Sequence, residues 1–128
     1  MKVTFSWESA SGTISPHCAS ETVNKDGINL VSCLLMDDGG IPYLQSIPWI
    51  REGIARVEMI LSGKAESSSW DREAWGVSMT IDEARIYSLQ DEDYFESFTL
   101  QQLKNALVSW KSFVELKPDA GEWKDIEL

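Results

Sequence analysis

The chain has 128 residues, 43% hydrophobic and 25% charged, which is a globular balance rather than a disordered one. Its 11 Lys and Arg against 21 Asp and Glu leave a net charge of −10. No two cations are adjacent, which argues against a phosphate-binding basic stripe and so against nucleic acid as partner. No run of about eighteen apolar residues exists to cross a membrane as a helix, and no repeat or low-complexity linker divides the chain, so residues 1–128 read as a single domain.

Met1 to Glu8 alternates apolar and polar residues, with Val3, Phe5 and Trp7 on one side, and reads as a strand. It lacks the apolar core of a signal peptide, so a cytoplasmic protein is expected. Cys18 and Cys33 then read as reduced thiols. Ser9 to Gly27, rich in Ser, Thr, Gly and Asn, reads as loop with a short edge strand around Thr13 and Ile14, and Asp26-Gly27 is a turn signal. Ile28 to Met36 is a continuous apolar run that suits a strand covered on both faces.

Ser46 to Gly63 reads as the first helix. Ser46 is placed to cap it, Pro48 is tolerated in the first turn, and Gly63 is a left-handed stop. Ile50, Ile54, Val57 and Leu61 form its apolar stripe, and Glu52 precedes Arg56 in the favourable order for an ion pair. Gly53, in mid-helix, costs about 1 kcal/mol against Ala and signals close packing. Lys64 to Glu73 reads as a polar connection. Trp75, Val77, Met79 and Ile81 alternate with smaller polar positions as a one-face-buried strand. Asp82-Glu83 turns it, Ala84 to Leu89 returns, Gln90 to Asp93 loops, and Tyr94 to Phe98 is a short strand or lead-in.

The second helix begins at Thr99, which forms a capping box with Gln102. Leu100, Leu103, Leu107, Trp110 and Val114 mark its buried stripe, with Ala106 and Phe113 beside it; Lys104, Lys111 and Lys117 lie on the polar side or the end, and Pro118 stops it. Asp119 to Leu128 reads as an acidic tail that frays. Of the six tryptophans, Trp7, Trp75 and Trp110 fall on core faces, while Trp49, Trp70 and Trp123 do not. The expected fold class is α+β, a mostly antiparallel sheet with two main helices packed on one face.

Catalytic and metal-binding motifs are absent from the sequence. His17 is the lone histidine, and its sequence neighbour Cys18 is not placed as a nucleophile partner. His17, Cys18 and Cys33 lack zinc-ligand spacing, and Asp91-Glu92-Asp93 lacks the glycine and later glutamate of a calcium loop. Glu115-Leu116-Lys117 has an acid-x-lysine spacing found in some nucleases, but at a helix end. No catalytic residue, metal or cofactor is therefore expected. What does cluster is charge. Asp91, Glu92, Asp93 and Glu96 fall within six residues with Tyr94 among them and no cation. Like charges so close repel, and a basic partner relieves that repulsion. These residues are candidates for partner binding, with Tyr94 as an aromatic anchor and Asp37, Asp38 and Asp71 as weaker members.

The stretch from Trp70 to Leu116 also carries a resemblance. It runs Trp70, Asp71, Arg72, Glu73, Ala74, Trp75, Gly76, then Arg85, Ile86, Tyr87, Ser88, then Asp91, Glu92, Asp93, Tyr94, and ends in a capped helix with Trp110 and Phe113 three apart. In this it resembles the C-terminal half of immunity proteins from bacterial polymorphic-toxin and contact-dependent growth inhibition systems. The resemblance implies a cytoplasmic protein, not an enzyme, that binds and neutralises one basic toxin domain, often a nuclease, without nucleic acid or membrane as partner. It assigns no residue. An acidic accessory or regulatory domain of an enzyme system fits the same charge, and plentiful carboxylates leave a metal- or carboxylate-dependent enzyme as a third reading.

Overall fold

A computed structural model describes residues 1–116, 118 and 122–128. The alternation of Val3, Phe5 and Trp7 builds β1, Lys2–Ala10, and all three side chains are buried. A two-residue turn returns the chain as β2, Thr13–Ala19. Ser11 and Gly12 take φ of 51° and 78°, the left-handed pair whose twist matches a hairpin. The short edge strand expected at Thr13 and Ile14 therefore runs on to Ala19. Ile14, Pro16 and Cys18 pair with Ser9, Trp7 and Phe5, and Pro16 is tolerated because β2 is an edge strand.

The apolar run at Ile28 to Met36 is a helix, not the buried strand its composition suggests. Asn29 turns the balance, since its side chain accepts from Ser32 N at 2.9 Å and caps α1, Leu30–Met36. Leu30, Val31, Leu34 and Leu35 are all buried at helical spacing. A 3-10 turn, Tyr43–Ser46, leads directly into α2, Ile47–Leu61. Ser46 does not cap it, because its hydroxyl donates back to the Tyr43 carbonyl at 2.6 Å. The buried stripe of α2 is Ile50, Gly53, Val57 and Ile60; Ile54 is half-buried and Leu61 exposed. Glu52 and Arg56 form the expected ion pair at 2.6 Å, and Gly63 stops the helix at φ 78°.

The expected polar connection before Trp75 is a strand, β3, Ser67–Asp71. With β4, Trp75–Thr80, β5, Ala84–Ser88, and β6, Asp91–Phe98, it forms an antiparallel sheet in the order β3-β4-β5-β6. Trp70 is consequently buried against α2. Ile81, expected on the core face, is 60% exposed, because β4 ends at Thr80, whose hydroxyl accepts the turn's Asp82 and Glu83 N–H groups. α3, Leu100–Val114, carries the expected capping box and stripe, and all seven of its apolar positions named above are buried. The tail is no fraying end. β7, Trp123–Glu127, pairs with the free edge of β1, and Ile126 lies opposite Val3. Lys117 and residues 119–121 lie outside the described residues.

The α+β class expected from the sequence holds, with the strands divided between two antiparallel sheets, β2-β1-β7 and β3-β4-β5-β6. The helices join them. Trp110 and Phe113 of α3 pack on Phe5 of β1 at 5.0 and 5.5 Å between ring centroids, and α3 also touches α2 and α1. α2 packs on β3 and β4, and α1 touches β2, β4 and β5. The buried side chains of both sheets and all three helices form one cluster.

Candidate functional site

The acidic residues of Asp91 to Glu96 do not sit in a loop. Leu89 and Gln90 make a tight turn, and the chain enters β6, the edge strand of the four-stranded sheet, already at Asp91. The register shifts at Tyr87/Ser88. Asp91 still faces Ser88 while Phe95 faces Tyr87, so Glu92, Asp93 and Tyr94 lie in the irregular stretch between.

This places the eight sequence candidates in different surroundings. Glu96 pairs with the buried Ile86, on the helix-facing side, and its Oε1 is buried with no partner among the described residues. Glu92 and Asp93 flank the opposite face, where with Ser78, Arg85 and Tyr87 they line a depression of about 330 Å³. There Arg85 donates to the Glu92 carbonyl at 3.1 Å and stacks 3.9 Å over the ring of Phe95, itself 46% exposed. Asp71 lies further across that face, opposite Gly76, where an added Cβ would meet its Oδ1 at 2.6 Å. Asp37 and Asp38 serve the fold. Asp37 Oδ2 accepts from Ala74 N at 2.7 Å and Trp75 N at 2.9 Å, fixing the start of β4. Asp38 Oδ1 accepts from Gly40 N.

Asp91 and Tyr94 instead come together at a groove of about 520 Å³ that the sequence does not reveal. Its walls are Trp75, at the start of β4, and Tyr94, with ring centroids 6.2 Å apart and inclined at 60°. Ile28, Ser88 and Gln90 also line it, and Asp26 and Asp91 bring carboxylates to it. A chain of hydrogen bonds fixes the Tyr94 wall. Asn24 Nδ2 donates to Tyr94 Oη at 2.9 Å, and Tyr94 Oη donates to Asp26 Oδ2 at 2.9 Å. Asn24 Oδ1 accepts from Asp26 N and Ile28 N, so one side chain shapes the turn and positions the phenol. The Asn24 bond lowers the Tyr94 pKa, but desolvation and Asp26 outweigh it, and the net shift is upward. Asn24 and Asp26 register in the sequence only as turn formers. What makes them functional candidates is pairing with a tyrosine 70 and 68 positions away, respectively.

A second charged feature is internal. Arg72, 4% exposed, lies between the rings of Trp49 at 4.7 Å and Trp70 at 5.3 Å, and donates to the Leu35 carbonyl at 3.1 Å. Burial pulls its pKa down to about 10, against the pull of Asp37 and Asp38. Among the described residues no three His, Cys, Asp or Glu side chains are grouped to hold a metal. No helix there is long and apolar enough to cross a membrane. Both cysteines are free thiols, and burial raises the Cys18 pKa to about 11.

The chain matches no protein-family model, no curated protein and no solved structure.

Proposed function

We propose that this chain is a binding protein that neutralises a basic toxin domain, acting in the cytoplasm as an immunity protein and carrying out no catalysis of its own. One observation supports it above the rest. The ion pairs found among the described residues join Met1 to Glu127, Lys2 to Asp125, Arg56 to Glu52, Lys104 to Glu58, and Lys111 to Glu115. None involves Asp26, Asp91, Glu92, Asp93 or Glu96. The carboxylates at the β6 end thus lack an ion-pairing cation among the described residues, as most of the chain's carboxylates do. What sets them apart is that Asp91, Glu92, Asp93 and Glu96 fall within six residues.

Such a field attracts a basic surface from a distance and raises the rate of productive encounter. A nuclease, which needs a basic surface to hold its own substrate, is the toxin class that fits. Exposed Phe95 and half-buried Tyr87 add apolar area beside the charges, as a stable interface of about 800 Å² per partner requires. The test is co-expression with a toxin domain encoded beside this gene. Restored growth and an equimolar complex on purification are expected. Unrelieved toxicity with no complex contradicts the proposal.

A further inference from the structure

The groove lined by Trp75 and Tyr94 has a chemistry more specific than negative charge. We infer that it is the socket for a single lysine or arginine side chain presented by the protein partner. This inference rests on the proposed binding of a basic domain and names the point where that domain is gripped.

Its shape and lining carry the argument. The Trp75 and Tyr94 rings, 6.2 Å apart and inclined at 60°, touch each other and form one continuous apolar wall, which Ile28 extends. A Lys or Arg side chain is itself amphipathic, with an apolar stem and a cationic tip. The stem matches the Trp75 and Ile28 surfaces, and the tip meets aromatic faces, which attract cations. Asp26 and Asp91 supply the counter-charge, and among the described residues no lysine or arginine lines this groove, Lys25 lining instead the adjoining depression. An anionic or purely apolar occupant would leave those carboxylates uncompensated.

The socket is also pre-built. Asn24, Tyr94 and Asp26 are joined by two hydrogen bonds of 2.9 Å each, and Asp91 Oδ1 accepts from Asp93 N at 3.1 Å. Little ordering is left to be done on binding, which favours affinity. Asp26 Oδ2 accepts a single hydrogen bond from Tyr94, so the carboxylate retains acceptor capacity for a cation.

The experiment is an NMR titration of the full chain with N-acetyl-argininamide and N-acetyl-lysinamide, following the Trp75 and Tyr94 ring resonances. Saturable shifts confined to the groove are expected, with N-acetyl-norleucinamide at least about tenfold weaker because it lacks the charge. Asp26→Asn and Asp91→Asn each keep one oxygen able to accept from Tyr94 or Asp93 and remove the negative charge. Each should weaken the cationic probes several-fold and leave the norleucine control unchanged. No groove shifts, or equal binding of the norleucine amide, overturns the inference. So does tighter binding of free tetramethylammonium, which would make this a small-molecule site. The titration needs no toxin. Its failure removes the socket and leaves toxin binding to the outer acidic face, whereas a positive titration with no toxin complex removes the function and leaves the socket.

Discussion

Gly53 shows how one atom is placed by its neighbours. Its helix would gain roughly 1 kcal/mol from alanine by propensity alone. But a Cβ there meets the Trp70 ring at 2.7 Å, and that ring is pinned between α2 and Arg72. Gly53→Ala should therefore lose about 1–3 kcal/mol as an overpacking change, read from the urea midpoint; a gain would mean that Trp70 has room to move. Cys18 makes a second prediction, through pH. Its folded pKa, about 11, lies above the ordinary 9.0, so below pH 9 the thiol is neutral in both states and its contribution is complete. Between 9 and 11 the unfolded chain releases its proton while the folded chain holds it, and stability falls by about 2 kcal/mol. Arg72, pulled down to about 10, favours the folded state as pH rises above that value and so overlaps the Cys18 window; the parent must therefore be compared with Cys18→Ala, which should lack the Cys18 decline. Identical pH profiles would show that the thiol ionises freely.

At the scale of elements, α3 is the clearest case of local signals agreeing with packing. The capping box, stripe and stop are all readable, and Leu107 is fully buried. Leu107→Ala should cost about 2–5 kcal/mol by chemical denaturation, and a loss below about 0.5 would place it at the surface. The α1 segment was not readable as a helix, because a continuous apolar run satisfies a covered strand and a buried helix alike. Asn29 was the deciding residue. Asn29→Ala should cost at least about 1 kcal/mol in the same assay, since it also strands the bond to the Thr22 carbonyl; no loss would mean the run needs no cap. β2, β3 and β7 were obscured for other reasons. Pro16 and a triple serine weaken strand propensity in two of them, and β7 depends on β1, more than a hundred positions away. The acidic residues were legible as a cluster, yet their division between groove, outer face and interior depends on the bulge in β6 and on the Asn24 turn, which local pattern does not carry.

For the molecule as a whole, charge is the organising quantity. The net −10 includes four carboxylates within six residues at the β6 end, none of them ion-paired among the described residues, and the aromatic groove adds shape to that field. Asp37, the residue that ends α1, ties this end to the helices by accepting from the backbone N–H groups of residues 74 and 75. The central claim is that this end meets a basic protein. Its most direct test is the association rate with the proposed basic toxin domain, measured across ionic strength for the parent and for the chain carrying Asp91→Lys and Asp93→Lys. The account predicts that the reversed chain associates at least about tenfold more slowly at low salt, with a flatter salt dependence. Unchanged rate, affinity and salt slope would contradict it.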